Sequence, residues 1–241
     1  MGAAKSADRY FECGMRAFPL PIRILSDLVF GILYIFSKLL WRWRVENADE
    51  LVSSDATGSV VICNHTSMAE VVVICAHVWR SGRRVRPLYK SEWDAVGIVR
   101  WLFSRVGGGI PIERGTADLK ALRRAQRALA RGEDVLIFPE GTRIRDEGRP
   151  VRIHGGFALL AQMAKAEIAP MAVCGFRDIT PAGKHVPRPR KTWVRCGSRI
   201  DPAAAPANLR RRERLAWVED ESVSRMYAVR DELRREHPGR S

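Results

Sequence analysis

The chain has 241 residues, 46% of them hydrophobic, 28% charged and 8% aromatic, with a formal net charge of +14. A chain of this length buries roughly three quarters of the surface its unfolded form exposes, enough for one full core without disulfides or metals. The apolar fraction excludes a disordered chain, and the glycine, proline and cysteine contents exclude collagen-like, mucin-like and disulfide-scaffold classes.

The first element expected is helical. Between Phe18 and Trp41 the centre, Leu28-Val-Phe-Gly-Ile-Leu-Tyr-Ile-Phe36, carries no charge, with Asp27 and Lys38 near its ends. Such a clean apolar stretch is shorter than the ~20 residues a full bilayer span needs. Trp41-Arg42-Trp43-Arg44 follows where a cleaved leader would show small residues, so an interfacial or shallowly inserted helix is expected. Arg9, Arg16, Arg23, Arg42 and Arg44 would then meet anionic headgroups, with Trp41 and Trp43 settling at the interface. The competing reading is a helix packed on the domain.

Beyond Asn47, short β-rich runs alternate with longer helical ones, the pattern of an α/β fold. Strands are expected at Ser59 to Cys63, Val85 to Tyr89, Gly109 to Ile112, Val135 to Phe138, Ile168 to Val173 and Thr192 to Cys196. Helices are expected at Met68 to Trp79, Glu92 to Ser104, Thr116 to Ala130 and Gly156 to Lys165, the third capped by Thr116 or Asp118. Pro202 to Pro206 reads as a linker into a final amphipathic helix, about Asn208 to Glu236, with Leu215, Val218, Val223, Met226, Val229 and Leu233 facing the core. The expected organisation is a basic, hydrophobic membrane-associating segment over 1–46, a core with a largely parallel sheet over 47–201, and the linker with its basic helix over 202–241.

The five cysteines form no C-x-x-C pair, so neither a disulfide framework nor a zinc site is indicated, and no metal-ligand spacing stands out elsewhere. Between Val186 and Arg214, nine basic residues stand against two acidic ones, which reads as a local patch for an anionic bilayer or an acidic carrier protein. Nucleic acid is disfavoured, because the patch holds a single aromatic residue, Trp193, and no reading motif.

Four places interrupt the elements with polar residues that folding does not require. After the first core strand comes Asn64-His65-Thr66-Ser67-Met68-Ala69-Glu70. An offset of five on one helix separates two side chains by about 140°, so His65 and Glu70 meet only if His65 precedes the helix and Glu70 lies in its first turns. A carboxylate on one imidazole nitrogen leaves the other free to accept a hydroxyl proton. The second place is Phe138-Pro139-Glu140-Gly141-Thr142-Arg143, a glycine turn with a hydroxyl and a guanidinium suited to a phosphate. The third, Gly109-Ile110-Pro111-Ile112-Glu113-Arg114, brings an arginine to a strand end. In the fourth, Ala169-Pro170-Met171-Ala172-Val173, the proline marks an edge or a bulge.

Taken in order, these four blocks resemble those of the glycerolipid acyltransferases, most closely the 1-acylglycerol-3-phosphate (lysophosphatidate) acyltransferases, over about residues 58–175. The resemblance implies transfer of a fatty acyl group from acyl-CoA or acyl carrier protein to the sn-2 hydroxyl of 1-acylglycerol 3-phosphate. The product would be phosphatidic acid, formed with no cofactor, no metal and no acyl-enzyme, on the cytoplasmic face of a membrane. His65 would be the general base and Glu70 would orient it. Arg114, Glu140, Gly141, Thr142 and Arg143 would form or support the phosphate site, Pro170 would shape the pocket, and Lys90 stands where such enzymes often keep a basic residue. Glu70 replaces the family's usual Asp, which opens the acceptor to a glycolipid, a lyso-ornithine lipid or glycerol 3-phosphate. Two further readings are a Cys63-His65 thioester enzyme and a non-catalytic basic module that binds membranes.

Overall fold

A computed structural model of the chain describes residues 9–51, 57–113, 118–144, 151–181 and 186–240. The N-terminal segment leads into helix α1 (Leu20–Trp41), then strand β1 (Arg44–Glu46) and a short helix α2 (Ala48–Leu51). The core continues as β2 (Val60–Cys63), α3 (Ala69–Arg80), β3 (Val85–Lys90), α4 (Gly97–Arg100), β4 (Ile110–Ile112) and α5 (Leu119–Ala130). It ends with β5 (Asp134–Ile137), α6 (Gly156–Ala164), β6 (Ile168–Cys174), β7 (Trp193–Cys196) and α7 (Arg211–Glu236). Asp118 caps α5 through Ala121 N–H at 2.9 Å; Thr116 lies outside the described residues.

One seven-stranded sheet runs in the order β1-β7-β6-β2-β5-β3-β4. β6, β2, β5, β3 and β4 are mutually parallel; β7 is antiparallel to β6 and drags the parallel β1 with it. The central strands are apolar on both faces, as a covered parallel sheet requires. Val61, Cys63, Leu136 and Met171 pack under α3 and α1, while Val60, Ile62, Val135 and Ile137 pack under α5, α6 and α7. Because the five strands point the same way, the segments that follow β2, β3, β4 and β5 emerge along one edge. In open parallel sheets that carboxyl edge is where ligands bind.

Several expectations are corrected. β1 went unpredicted because Arg-Val-Glu is too short and too charged to show alternation; it forms by pairing with β7. The helix expected from Glu92 to Ser104 breaks into a 3-10 turn (Ser91–Ala95), α4 and a π turn (Trp101–Val106). Tyr89, Trp93 and Phe103 gather there with ring centroids 5.3–6.4 Å apart, and that cluster prevails over helix regularity.

Pro170 lies on an interior strand, opposite Ile62, and not at an edge. From Ile168 to Met171 there are three steps, but their β7-side partners, Ile200 and Cys196, are four apart, so a one-residue bulge forms beside the proline. Gly197 N–H bonds to the Pro170 carbonyl at 2.8 Å within it.

Trp41 and Trp43 are buried rather than interfacial: Trp43 donates its indole N–H to Ser37 and meets Tyr34 edge-on. Three arginines of the basic stretch are neutralised by acidic partners. Arg195 pairs with Glu46 and Glu236, Arg199 with Glu167 and Arg210 with Glu213. Lys165, Arg211 and Arg214 line a cavity of about 460 Å³ with Asp201.

Helix α1 is two-faced. Phe30 stacks on Trp79 of α3, Ser26 Oγ donates to the Val106 carbonyl, and Asp27 takes both Trp79 Nε1 and Arg84. Leu20, Ile24, Leu28, Ile32, Ile35, Phe36 and Leu39 are exposed, an unbroken apolar stripe along its 22 residues.

Candidate active site

The β2–α3 turn is built by Asn64. Its Oδ1 accepts Val173 N–H at 2.9 Å, so the side-chain amide supplies the next rung to β6 after β2 has ended. The backbone is thereby released to turn at His65 while the sheet stays closed. His65 stands four residues before α3, and Glu70 lies in its first turn, the arrangement their spacing demanded.

Glu70 is fully buried and its carboxylate accepts four hydrogens. Oε1 takes His65 Nδ1 at 2.5 Å and Thr66 N at 2.8 Å; Oε2 takes Thr66 Oγ1 and Ser67 N, each at 2.9 Å. A carboxylate only accepts, so Nδ1 carries the hydrogen and Nε2 presents its lone pair. The ring stacks on Phe138, 4.1 Å between centroids and 26° between planes. Nε2 bonds to no described residue and is not among the buried unpartnered nitrogens, so it opens to solvent although the residue is only 8% exposed.

After β5, Gly141 N–H closes a tight turn on the Phe138 carbonyl at 2.9 Å. Pro139 suits the second position of that turn, and Gly141 takes φ +65°. A Cβ at 141 would also meet the His154 ring at 2.8 Å, so only glycine fits. The Gly141 N–H is therefore engaged in the turn and is not available to a phosphate. Glu140 is also internally occupied: Oε2 accepts His65 N–H at 2.7 Å and Oε1 accepts the Tyr227 hydroxyl at 3.0 Å. Burial pushes its carboxyl up from the ordinary value, while the hydrogen bonds from His65 N–H and Tyr227 and the nearby imidazole pull it back.

Thr142 and Arg143, by contrast, are exposed, and Arg143 has no ion-pair or hydrogen-bond partner among the described residues. The next residue, Ile144, donates its N–H to the His65 carbonyl at 2.7 Å, which fastens this loop against the histidine turn.

Lys90 ends β3 beside Ile112 of β4 and pairs loosely with Glu92 at 3.2 Å. It lies two strand spacings from β2, about 10 Å. Arg114 lies outside the described residues, two positions past the end of β4. Pro170 sits level with Ile62 inside the sheet, below the edge that carries His65. Sequence reasoning missed Tyr227, which lies 87 residues from its partner, and the structural uses of Asn64 and Phe138, both visible in the quoted motifs.

Cys63 faces the interior, and burial raises its thiol well above the ordinary value, with Glu70 and Glu140 adding to the rise. A nucleophilic thiolate there is opposed on every count.

The α/β sheet thus carries at its carboxyl edge a histidine held by a buried acid, beside a loop whose exposed arginine has no partner among the described residues. A sequence model of the acyltransferase family matches residues 42–174, and the chain belongs to that family. It is 28% identical over 153 residues to the chloroplastic 1-acyl-sn-glycerol-3-phosphate acyltransferase LPAT1 of Arabidopsis thaliana, covering 63% of this chain and 40% of that protein. The 1-acyl-sn-glycerol-3-phosphate acyltransferase of Bacillus subtilis is 24% identical over 79% of this chain and 89% of its own length. A lyso-ornithine lipid O-acyltransferase of Pseudomonas aeruginosa is 30% identical over 121 residues, half of this chain and 44% of the relative. The fold is shared with PlsC, the 1-acyl-sn-glycerophosphate acyltransferase of Thermotoga maritima, at a TM-score of 0.64 and 22% identity over 87% of this chain and 81% of the other.

Proposed function

We propose that this protein transfers a fatty acyl group from an acyl thioester, on CoA or acyl carrier protein, to the sn-2 hydroxyl of 1-acylglycerol 3-phosphate, yielding phosphatidic acid. The observation that carries the reading is the imidazole of His65, held through Nδ1 by Glu70 with Nε2 open, fastened beside Arg143, which has no partner among the described residues. Nε2 takes the acceptor's hydroxyl proton as that oxygen attacks the thioester carbonyl. The tetrahedral adduct collapses, the C–S bond breaks, and the imidazolium returns the proton to the departing thiolate. Glu70 holds the tautomer and faces the imidazolium while it exists. Arg143, with Thr142, Lys90 and Arg114, grips the phosphate, and Glu140 and Gly141 build the turn that presents them. The relatives named for this acceptor support the substrate.

Membrane attachment follows from α1. At 1.5 Å per residue its 22 residues reach about 33 Å, enough to span, but its inner face is fastened to the domain through Ser26, Asp27 and Phe30. A helix so held lies along the bilayer surface with its apolar stripe immersed.

The similarity to a lyso-ornithine lipid O-acyltransferase favours a second acceptor, whose headgroup has no phosphate for Arg143 to grip. The test is to incubate the purified protein with labelled acyl-CoA or acyl carrier protein and, separately, lysophosphatidate, glycerol 3-phosphate, lyso-ornithine lipid and a lysoglycolipid. Phosphatidic acid is expected from the wild type and none from His65→Ala, which should still bind liposomes. Native turnover by His65→Ala would overturn the general-base reading, and product only from lyso-ornithine lipid would move the acceptor.

A further inference from the structure

We infer that Tyr227, on a helix outside the stretch that the family model matches, is a positioning residue for His65 and acts through Glu140. The inference rests on the general-base reading above.

The two oxygens of Glu140 each take one donor, His65 N–H at 2.7 Å on one side and the Tyr227 hydroxyl at 3.0 Å on the other. Glu140 is buried, so an oxygen left without its donor would be an unsatisfied acceptor that water does not readily reach. With both bonds made, the carboxylate plane is fixed, and with it the backbone from which the imidazole projects. The Glu70 bond fixes the ring's tautomer, and the Glu140 bond fixes where the ring is mounted. Those are separate constraints, and the second reaches α7.

α7 is seated closely enough to make this contact. A Cβ at Gly155 would fall 2.0 Å from Glu219 Oε2, and one at Gly197 would fall 2.9 Å from Val229 Cγ2, so the helix rests against backbone at two points. Val218, Ser222, Met226 and Leu233 are buried along its inner stripe, with Tyr227 on the flank of that stripe. The Arg230 guanidinium lies 4.4 Å above the Tyr227 ring and holds it from outside. Among the described residues, the titratable and charged groups around Glu140 are Cys63 at the end of β2, His65 and Glu70 from the β2–α3 turn and Tyr227 from α7, with Arg230 next to the tyrosine and His154 against the neighbouring Gly141. Losing the tyrosine's hydrogen bond removes one of the influences that lower the Glu140 carboxyl.

The experiment compares Tyr227→Phe with Val218→Ala in the full chain. Tyr227→Phe keeps the ring and its cation–π contact, so folding is not at stake, whereas Val218→Ala weakens α7 packing without touching Glu140. Tyr227→Phe is expected to lower kcat about tenfold while KM for each substrate changes less than about twofold. The acid limb of its kcat–pH profile should move to higher pH, and amide exchange at His65 should accelerate. In a Glu140→Gln background the same change should add less than about twofold, because the two residues act as a unit. Val218→Ala should lower Tm and leave the acid limb in place. Wild-type kcat, acid limb and His65 exchange in Tyr227→Phe would overturn the inference, as would an equal shift of the limb in Val218→Ala. Native turnover by His65→Ala would instead sink the general-base reading, and the amide exchange at His65 would still report on the Tyr227 contact by itself.

Discussion

Replacing Glu70 by Gln separates two tasks of one buried carboxylate. Two of its four donors, Thr66 N and Ser67 N, belong to the turn that starts α3, and one is the imidazole. A carboxamide offers one acceptor oxygen and two N–H groups, so in either orientation at least one backbone N–H faces another N–H. That buried, unsatisfied donor costs about 1–3 kcal/mol of stability, whatever Glu70 does in the reaction. The kinetic outcome depends on which way the amide turns. With its oxygen toward Nδ1 the tautomer survives, but no negative charge faces the imidazolium. With its nitrogen there, the hydrogen moves to Nε2 and the base is blocked. A general base contributes ~10²–10⁴ in rate, and a triad's orienting acid carries a similar share, so kcat should fall by about 10²–10⁴. KM for both substrates should stay within about threefold, since neither touches Glu70 in the proposed reaction. The assay is steady-state transfer from a labelled acyl thioester, run beside calorimetric Tm. A Glu70→Gln protein with lowered Tm and kcat within about threefold of wild type would refute the reasoning, because Glu70 would then only cap α3. Glu70→Asp keeps the charge and withdraws it by one methylene, so its kcat should fall between the two.

Arg143→Ala should raise KM for a phosphate-bearing acceptor by about 10- to 100-fold, the worth of a hydrogen bond to a charged group, with Tm unchanged because no described residue pairs with it; an unchanged KM in steady-state assays would remove it from the phosphate site. Arg86 is fully buried, donates to Glu133 at 2.8 Å and to the carbonyls of Tyr10, Cys13 and Gly108, and so ties the N-terminal segment to the sheet. Arg86→Ala should destabilise by about 3–5 kcal/mol in urea titrations, because the Glu133 carboxylate is left without its main partner; a loss below about 1 kcal/mol would contradict that account. Leu28→Ser or Ile32→Ser on the exposed stripe of α1 should weaken liposome binding about tenfold each, the value of immersing one large aliphatic side chain, without altering Tm. Flotation indifferent to both changes would argue against a surface-lying α1.

Local geometry that depends on near neighbours in the chain was legible before any coordinates. His65 and Glu70 are five apart across a strand-to-helix turn, and residues 138–143 form one continuous loop, so spacing offered both contacts, as it offered Thr116 and Asp118 as caps for α5, of which Asp118 caps it. Alternation and helical period also exposed six of the seven strands and the buried stripe of α7. The remainder depended on residues far apart in sequence. Nothing near Trp43 says that His77 of α3 will meet it edge-on, and nothing near Arg195 says that Glu46 and Glu236 will neutralise it. Pro170 signals a broken rung, yet whether that means an edge or a bulge is decided by β7, which arrives more than twenty residues later. The 87 residues between Tyr227 and Glu140 leave no periodic trace of their hydrogen bond. Local spacing is written in the backbone's own geometry, whereas a contact between distant segments exists only once the sheet order and helix seating have brought them together.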